Sequence, residues 1–133
     1  MPKDIVLFVC IENTFRSILS EALFNAQAPK GWMAETAGVR AAKQVTPVVF
    51  DLLREIGIDL EPKTPRLVTQ EMLDRADWII TFGCLNQCPA RAKCRFEDWA
   101  IPGSTNRTMP ELRHIRNDLR RRVGELIDQI KEG

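Results

Sequence analysis

Residues 4–17 read DIVLFVCIENTFRS, and the fold turns on how this stretch divides. Its first part, Asp4 to Cys10, is apolar and β-branched with no polar alternation, the pattern of a strand buried on both faces of a parallel sheet. From Ser17 to Gln27, Ile18, Leu19, Ala22, Leu23 and Ala26 recur at helical spacing, and Pro29-Lys30-Gly31 closes the run. A doubly buried strand passing straight into a helix opens an α/β unit.

Outward from this unit the alternation continues. A short strand spans Met33 to Ala37 and leads to Gly38. Thr46-Pro47 reads as an N-cap followed by proline at the first helical position, with Val48, Val49, Leu52, Leu53 and Ile56 as the buried stripe and Gly57 as the stop. Thr69 caps a short helix bearing Met72, Leu73 and Ala76. Trp78 to Phe82 and the weaker Arg95 to Trp99 are the third and fourth strands. From Pro110 to Lys131, Leu112, Ile115, Leu119, Val123, Leu126 and Ile130 mark a long amphipathic helix that covers a sheet face. Its Arg113, Arg116, Arg120, Arg121 and Arg122 alternate with Glu111, Asp118, Glu125 and Asp128, which reads as a solvated face rather than a nucleic-acid patch.

The 133 residues suit one domain spanning 1–133, and 44% hydrophobic with 28% charged residues excludes a disordered or fibrous chain. Nineteen basic against eighteen acidic side chains leave a net charge of +1, which points to neither nucleic acid nor a membrane as partner. No apolar run is long enough to span a bilayer, and the N-terminus has no signal-peptide pattern, so a cytoplasmic protein is expected. In a reducing compartment the four cysteines, Cys10, Cys84, Cys88 and Cys94, are buried, metal-bound or chemically active rather than bridged.

Cys10 ends the first strand, and Cys10-Ile11-Glu12-Asn13-Thr14-Phe15-Arg16-Ser17 forms a Cys-x5-Arg-Ser turn before the helix. A loop at a helix N-terminus aims several backbone N–H groups at one spot, and the helix dipole adds positive potential. Arg16 can return its planar fork to two oxygens of a tetrahedral oxyanion. The same positive field favours the thiolate, so a nucleophile faces the centre of a held anion.

These residues resemble the phosphate-binding loop of the low-molecular-weight protein tyrosine phosphatase superfamily, and more narrowly its thioredoxin-coupled arsenate reductase branch. The resemblance extends through AETAGV (Ala34 to Val39), LLREIGIDL (Leu52 to Leu60), ADWIITF (Ala76 to Phe82), FEDW (Phe96 to Trp99) and LRHIRNDLRRRV (Leu112 to Val123). It implies a three-layer α/β fold: a four-stranded parallel sheet in flavodoxin-like order 2-1-3-4, with helices on both faces. It also implies Cys10 as nucleophile, Arg16 as oxyanion clamp, Ser17 as hydroxyl donor to the thiolate, and Asn13 as the asparagine of a strained turn.

The reductase branch implies a relay in which a second cysteine attacks Cys10 and expels arsenite, and a third carries the disulfide to thioredoxin or a similar dithiol. Reduction needs two electrons, which two thiols supply on becoming a disulfide; a phosphatase has no use for three cysteines after the third strand. Cys84 is expected as the resolving thiol and Cys88, in a Cys-Pro pair, as the terminal one, with Cys94 a rival for either place. Two other readings stay open: inert buried thiols, and a zinc site from Cys84, Cys88, Cys94 and His114, which lacks the tight Cys-x2-Cys knuckle. No bound cofactor or metal is expected, and the chain is expected to be monomeric.

The chain departs from the family pattern in several places. Where both branches carry an Asp-Pro pair as general acid, this chain has Gly103-Ser104, and the nearest carboxylates are Glu97 and Asp98. Loss of the acid costs hydrolysis of a poor leaving group roughly 10²–10⁴-fold, whereas arsenate's leaving oxygen exchanges with solvent and can arrive protonated. Glu12 places a carboxylate beside the anion, which costs affinity unless it points outward. The chain has no tyrosine, so the tyrosine pair of some phosphatases is absent. Glu21, Thr36 and Asn13 fall near a cation site used by some reductases, but an aspartate expected near Thr64-Pro65-Arg66 is missing, and Glu21 is expected to be ion-paired or exposed. The alternatives to arsenate reduction are phosphomonoester hydrolysis through a cysteinyl-phosphate and non-catalytic oxyanion binding.

Overall fold

The computed structural model describes residues 3–40, 42–83 and 95–132. Its elements follow the order read from the sequence: β1 (Asp4–Cys10), α1 (Arg16–Asn25), β2 (Trp32–Gly38), α2 (Val48–Arg54), α3 (Gln70–Arg75), β3 (Trp78–Thr81), β4 (Arg95–Asp98) and α4 (Met109–Glu132). The four strands are parallel throughout, in the order β2-β1-β3-β4.

Ile5 to Cys10 are all buried, which is why β1 shows no polar alternation. Period two divides them between the faces. Val6, Phe8 and Cys10 share a core with α1, α2 and α4, while Leu7 and Val9 pack against Met72 and Leu73 of α3. α1 is buried from Ser17 to Phe24, so it too reads apolar around most of its circumference.

This topology locates the site. From β1 the chain moves to β2 on one side and later to β3 on the other, so the connections diverge above β1. The crevice they leave lies at the carboxyl end of that strand, where Cys10 sits opposite Gly38 of β2.

Capping follows the sequence in part. Thr69 Oγ1 accepts from Met72 N at 3.1 Å, as its position implied. At α2 no side chain caps the helix; the Thr46 carbonyl accepts from Val49 N at 3.0 Å, because Pro47 already has helical φ and ψ. α4 begins with a reciprocal box missed in the reading: Thr108 N donates to Glu111 Oε1 and Glu111 N to Thr108 Oγ1. The Thr108 N–H and hydroxyl, both donating to Oε1, hold the Glu111 carboxyl below its ordinary value.

The arginine face of α4 needs one correction. Arg121 pairs with Asp118 and Glu125 along the helix, but Arg116 is buried. Its Nη1 donates to the Leu52 carbonyl at 3.0 Å and to Glu55 Oε1 at 2.5 Å. Glu55 also accepts from Arg113, and the two guanidiniums hold its carboxyl low. These arginines fasten α4 to α2.

Candidate active site

The turn from β1 to α1 is built by turning its carbonyls away from its centre. The carbonyls of Cys10, Ile11, Glu12 and Thr14 accept from the backbone N–H groups of Val39, Arg40, Ala42 and Thr46, at 2.7 to 3.1 Å. In a trans peptide the N–H points opposite to the C=O, so amides of the same turn face inward. One of them, Asn13 N, donates to Cys10 Sγ at 3.2 Å. The result is a concave set of donors at the N-terminus of α1, the geometry that holds an anion.

Asn13 supports this turn from behind. It has φ +59° and no exposed surface. Its Oδ1 accepts from Arg66 N at 2.8 Å, which fixes the orientation of the amide. Nδ2 therefore faces Ser17 Oγ at 2.9 Å and Thr36 Oγ1 at 2.6 Å. Ser17 Oγ lies 2.9 Å from Cys10 Sγ. With one lone pair taken by Asn13, the serine hydroxyl can direct its proton at the sulfur when that sulfur is ionised.

Gly38 makes the close approach possible. A Cβ there would stand 2.8 Å from Asn13 N and 2.9 Å from both Asn13 Cβ and the Glu12 carbonyl carbon. Its own backbone is pinned from the far side, with Gly38 N donating to Arg66 O and Val68 N to Gly38 O.

Arg16 is held by carbonyls in the segments that follow β3 and β4. Nη1 donates to the Phe82 carbonyl at 2.8 Å and the Ile101 carbonyl at 3.0 Å, leaving Nε and Nη2 as the edge with fork geometry for an oxyanion. Phe82 is fixed by aromatic packing: its ring lies 6.2 Å from Phe8 and 5.9 Å from Trp99.

A cavity of about 220 Å³ adjoins this turn. It is lined by Cys10, Ile11, Glu12, Thr14, Phe15 and Arg16 from the turn, Arg40 after β2, and Gly103, Ser104 and Thr105 after β4. The structure thus brings the eight residues from Cys10 to Ser17 together, with Asn13 and Ser17 buried behind the cavity wall. Cys84, Cys88 and Cys94 lie outside the described residues. Arg40 and Thr105 on the rim went unread in the sequence; Gly103-Ser104, as the replacement for Asp-Pro, pointed to the other two rim residues.

Neither carboxylate next to Trp99 lines the cavity. Asp98 Oδ1 accepts from Thr81 Oγ1 at 2.5 Å and Gly83 N at 2.8 Å. Glu97 accepts from the indole N–H groups of Trp78 and Trp99 at 3.0 and 3.4 Å. Both tie the ends of β3 and β4 together.

Glu21 is ion-paired, not exposed. It is buried in α1 against the Lys63 ammonium. Burial pushes its carboxyl above the ordinary value, and the bond to Lys63 opposes that rise. Among the described residues no group of three or more His, Cys, Asp or Glu side chains could hold a metal ion.

A profile of the family described as low molecular weight phosphotyrosine protein phosphatase matches residues 5–133. The chain is similar to an arsenate reductase of Archaeoglobus fulgidus: 35% identity, 92% of this chain and 98% of the other covered, TM-score 0.79. It is also similar to a thioredoxin-dependent arsenate reductase of Corynebacterium glutamicum, at 28% identity and TM-score 0.84. That likeness covers 98% of this chain but only 63% of the longer one. A low molecular weight protein tyrosine phosphatase of T. tengcongensis matches at 25% identity and TM-score 0.84, over 96% of this chain and 99% of the other.

Proposed function

The chain belongs to the low molecular weight phosphotyrosine protein phosphatase family, and on that footing we propose that it is an arsenate reductase working through Cys10 and a relay of downstream thiols. The observation that carries this reading is the cavity beside Cys10: a donor-lined oxyanion seat with Gly103-Ser104, and no carboxylate, on the rim where the family's Asp-Pro acid falls, its one described carboxylate being Glu12 inside the turn itself. An ester leaving group needs a proton from an acid there; the exchangeable oxygen of arsenate brings its own.

In the first step the Cys10 thiolate attacks arsenic. The inward amides and the Nε and Nη2 edge of Arg16 take the oxygens, and one oxygen departs as water with a solvent proton. Ser17, oriented by Asn13, stabilises the thiolate before attack. In the second step the Cys84 thiolate attacks Cys10 Sγ. The S–As bond pair passes to arsenic, As(V) becomes As(III), and arsenite leaves a Cys10–Cys84 disulfide. Cys88 then attacks Cys84, releasing Cys10 as thiolate and leaving a Cys84–Cys88 bridge for thioredoxin or a similar dithiol. Cys94 is the alternative thiol for either downstream place.

We place this chemistry in the cytosol, whose reducing poise keeps such thiols available; no described helix is long and apolar enough to cross a membrane.

The test is turnover with arsenate, thioredoxin and its reductase, alongside p-nitrophenyl phosphate hydrolysis. The proposal expects arsenite from the intact chain and none from Cys10→Ser or Cys84→Ser. Aryl phosphate turnover that survives serine at Cys84, Cys88 and Cys94, with no arsenite formed, would instead make the chain a phosphatase. Oxyanion binding with neither activity would make it a binding module.

A further inference from the structure

Glu12 is the one carboxylate residue among the described residues lining the cavity beside Cys10. It lies inside the turn that supplies the inward amides, and its backbone is fixed there. Ala42 N donates to its carbonyl at 3.1 Å, and Gly38 abuts its carbonyl carbon so closely that a Cβ would come within 2.9 Å. Glu12 itself is exposed, and among the described residues it has no ion-pair partner. Arg40 lines the same cavity without pairing to it.

Arg16 and Arg40 bring two guanidinium groups to this cavity, and Glu12 brings its one described carboxylate. A tetrahedral anion with no proton meets Glu12 as a like charge, which costs affinity. An anion that keeps a hydroxyl meets the same carboxylate as a donor, in a charge-assisted hydrogen bond. Hydrogen arsenate and hydrogen phosphate keep at least one hydroxyl at neutral pH. Sulfate has none, and neither has a phosphomonoester dianion.

We infer that Glu12 is a specificity-determining residue that selects oxyanions bearing a hydroxyl, favouring free arsenate and phosphate over sulfate and over phosphomonoester dianions. The inference rests on the reading of the turn as the oxyanion seat and sharpens the substrate class of the proposed reductase. It also gives the chain a device, separate from the missing aspartate, that turns it away from ester substrates.

Inorganic phosphate and sodium sulfate, titrated calorimetrically into the reduced chain at neutral pH, test it without any turnover. The intact chain should prefer phosphate by at least about tenfold, the scale of one hydrogen bond to a charged group. In Glu12→Gln sulfate should tighten, because the amide can donate where the carboxylate repelled, and the preference should fall to near unity. Glu12→Ala should lose the preference too. An intact chain that binds both anions equally, or a phosphate preference that survives both substitutions, overturns the inference. Neither titration consumes a reductant. A chain that selects phosphate but yields no arsenite keeps the selectivity and loses the reductase reading; one that makes arsenite without selecting phosphate does the reverse.

Discussion

Asn13 Nδ2 lies 2.9 Å from Ser17 Oγ, and Ser17 Oγ lies 2.9 Å from Cys10 Sγ. The Asn13 amide is itself oriented by Arg66 N, so a backbone donor 53 residues along the chain decides where the serine proton can point. Reactivity at the sulfur is thereby coupled to the loop before α3.

Ser17→Ala removes a hydrogen bond to a charged sulfur, of the kind that contributes about 1.5–3 kcal/mol. Arsenite release should slow by roughly 10–100-fold, and the thermal unfolding midpoint should fall as well, because the buried Asn13 Nδ2 loses one of its two acceptors. Single-turnover rates together with a melting curve read both quantities.

Gly38→Ala drives a methyl to within 2.8–2.9 Å of Asn13 and Glu12 atoms, most of them backbone. Overpacking of this kind costs about 1–3 kcal/mol. The turn should shift to relieve it, so phosphate affinity should fall along with stability. Calorimetric titration with phosphate and denaturant unfolding check the two losses.

Arg16→Lys keeps the charge but loses the fork. A single ammonium cannot both hold the Phe82 and Ile101 carbonyls and present a two-pronged edge to the anion. Turnover should drop by about 10²-fold or more, and raising arsenate should not restore it.

Lys63→Met leaves Glu21 buried without its cation. A carboxyl whose folded pKa is raised above its unfolded value stabilises the fold in its protonated form. That contribution is complete below the unfolded value and is lost as pH rises through the folded one. Lys63 limits the loss in the intact chain. The variant should therefore be less stable by about 3 kcal/mol near neutral pH, with the deficit shrinking as the solution is acidified toward the carboxylate range. Urea denaturation across that range measures it; a deficit independent of pH would contradict the assignment.

Much of the fold was legible because burial leaves a mark on local sequence. DIVLFVC lacks polar alternation since both faces of β1 are covered, and Thr69 caps α3 because a hydroxyl there meets a free amide. The turn from Cys10 to Ser17 was legible because its donors and clamp are contiguous. The rest depended on contacts between distant segments. Arg40 and Thr105 reach the cavity from loops after different strands. Lys63 meets Glu21 across 42 residues, and Arg116 leaves the solvated face of α4 only because Glu55 and the Leu52 carbonyl wait on α2. Thr46 looked like a cap, but Pro47 entered the helix by itself.

The relay is tested most directly by counting electrons in one turnover. Fully reduced chain, mixed with excess arsenate and no external dithiol, should release one arsenite per chain and lose two titratable thiols, with mass spectrometry placing the new bridge among Cys10, Cys84, Cys88 and Cys94. Cys10→Ser should release none. No arsenite from the intact chain, or arsenite formed while all four thiols remain titratable, would contradict the account.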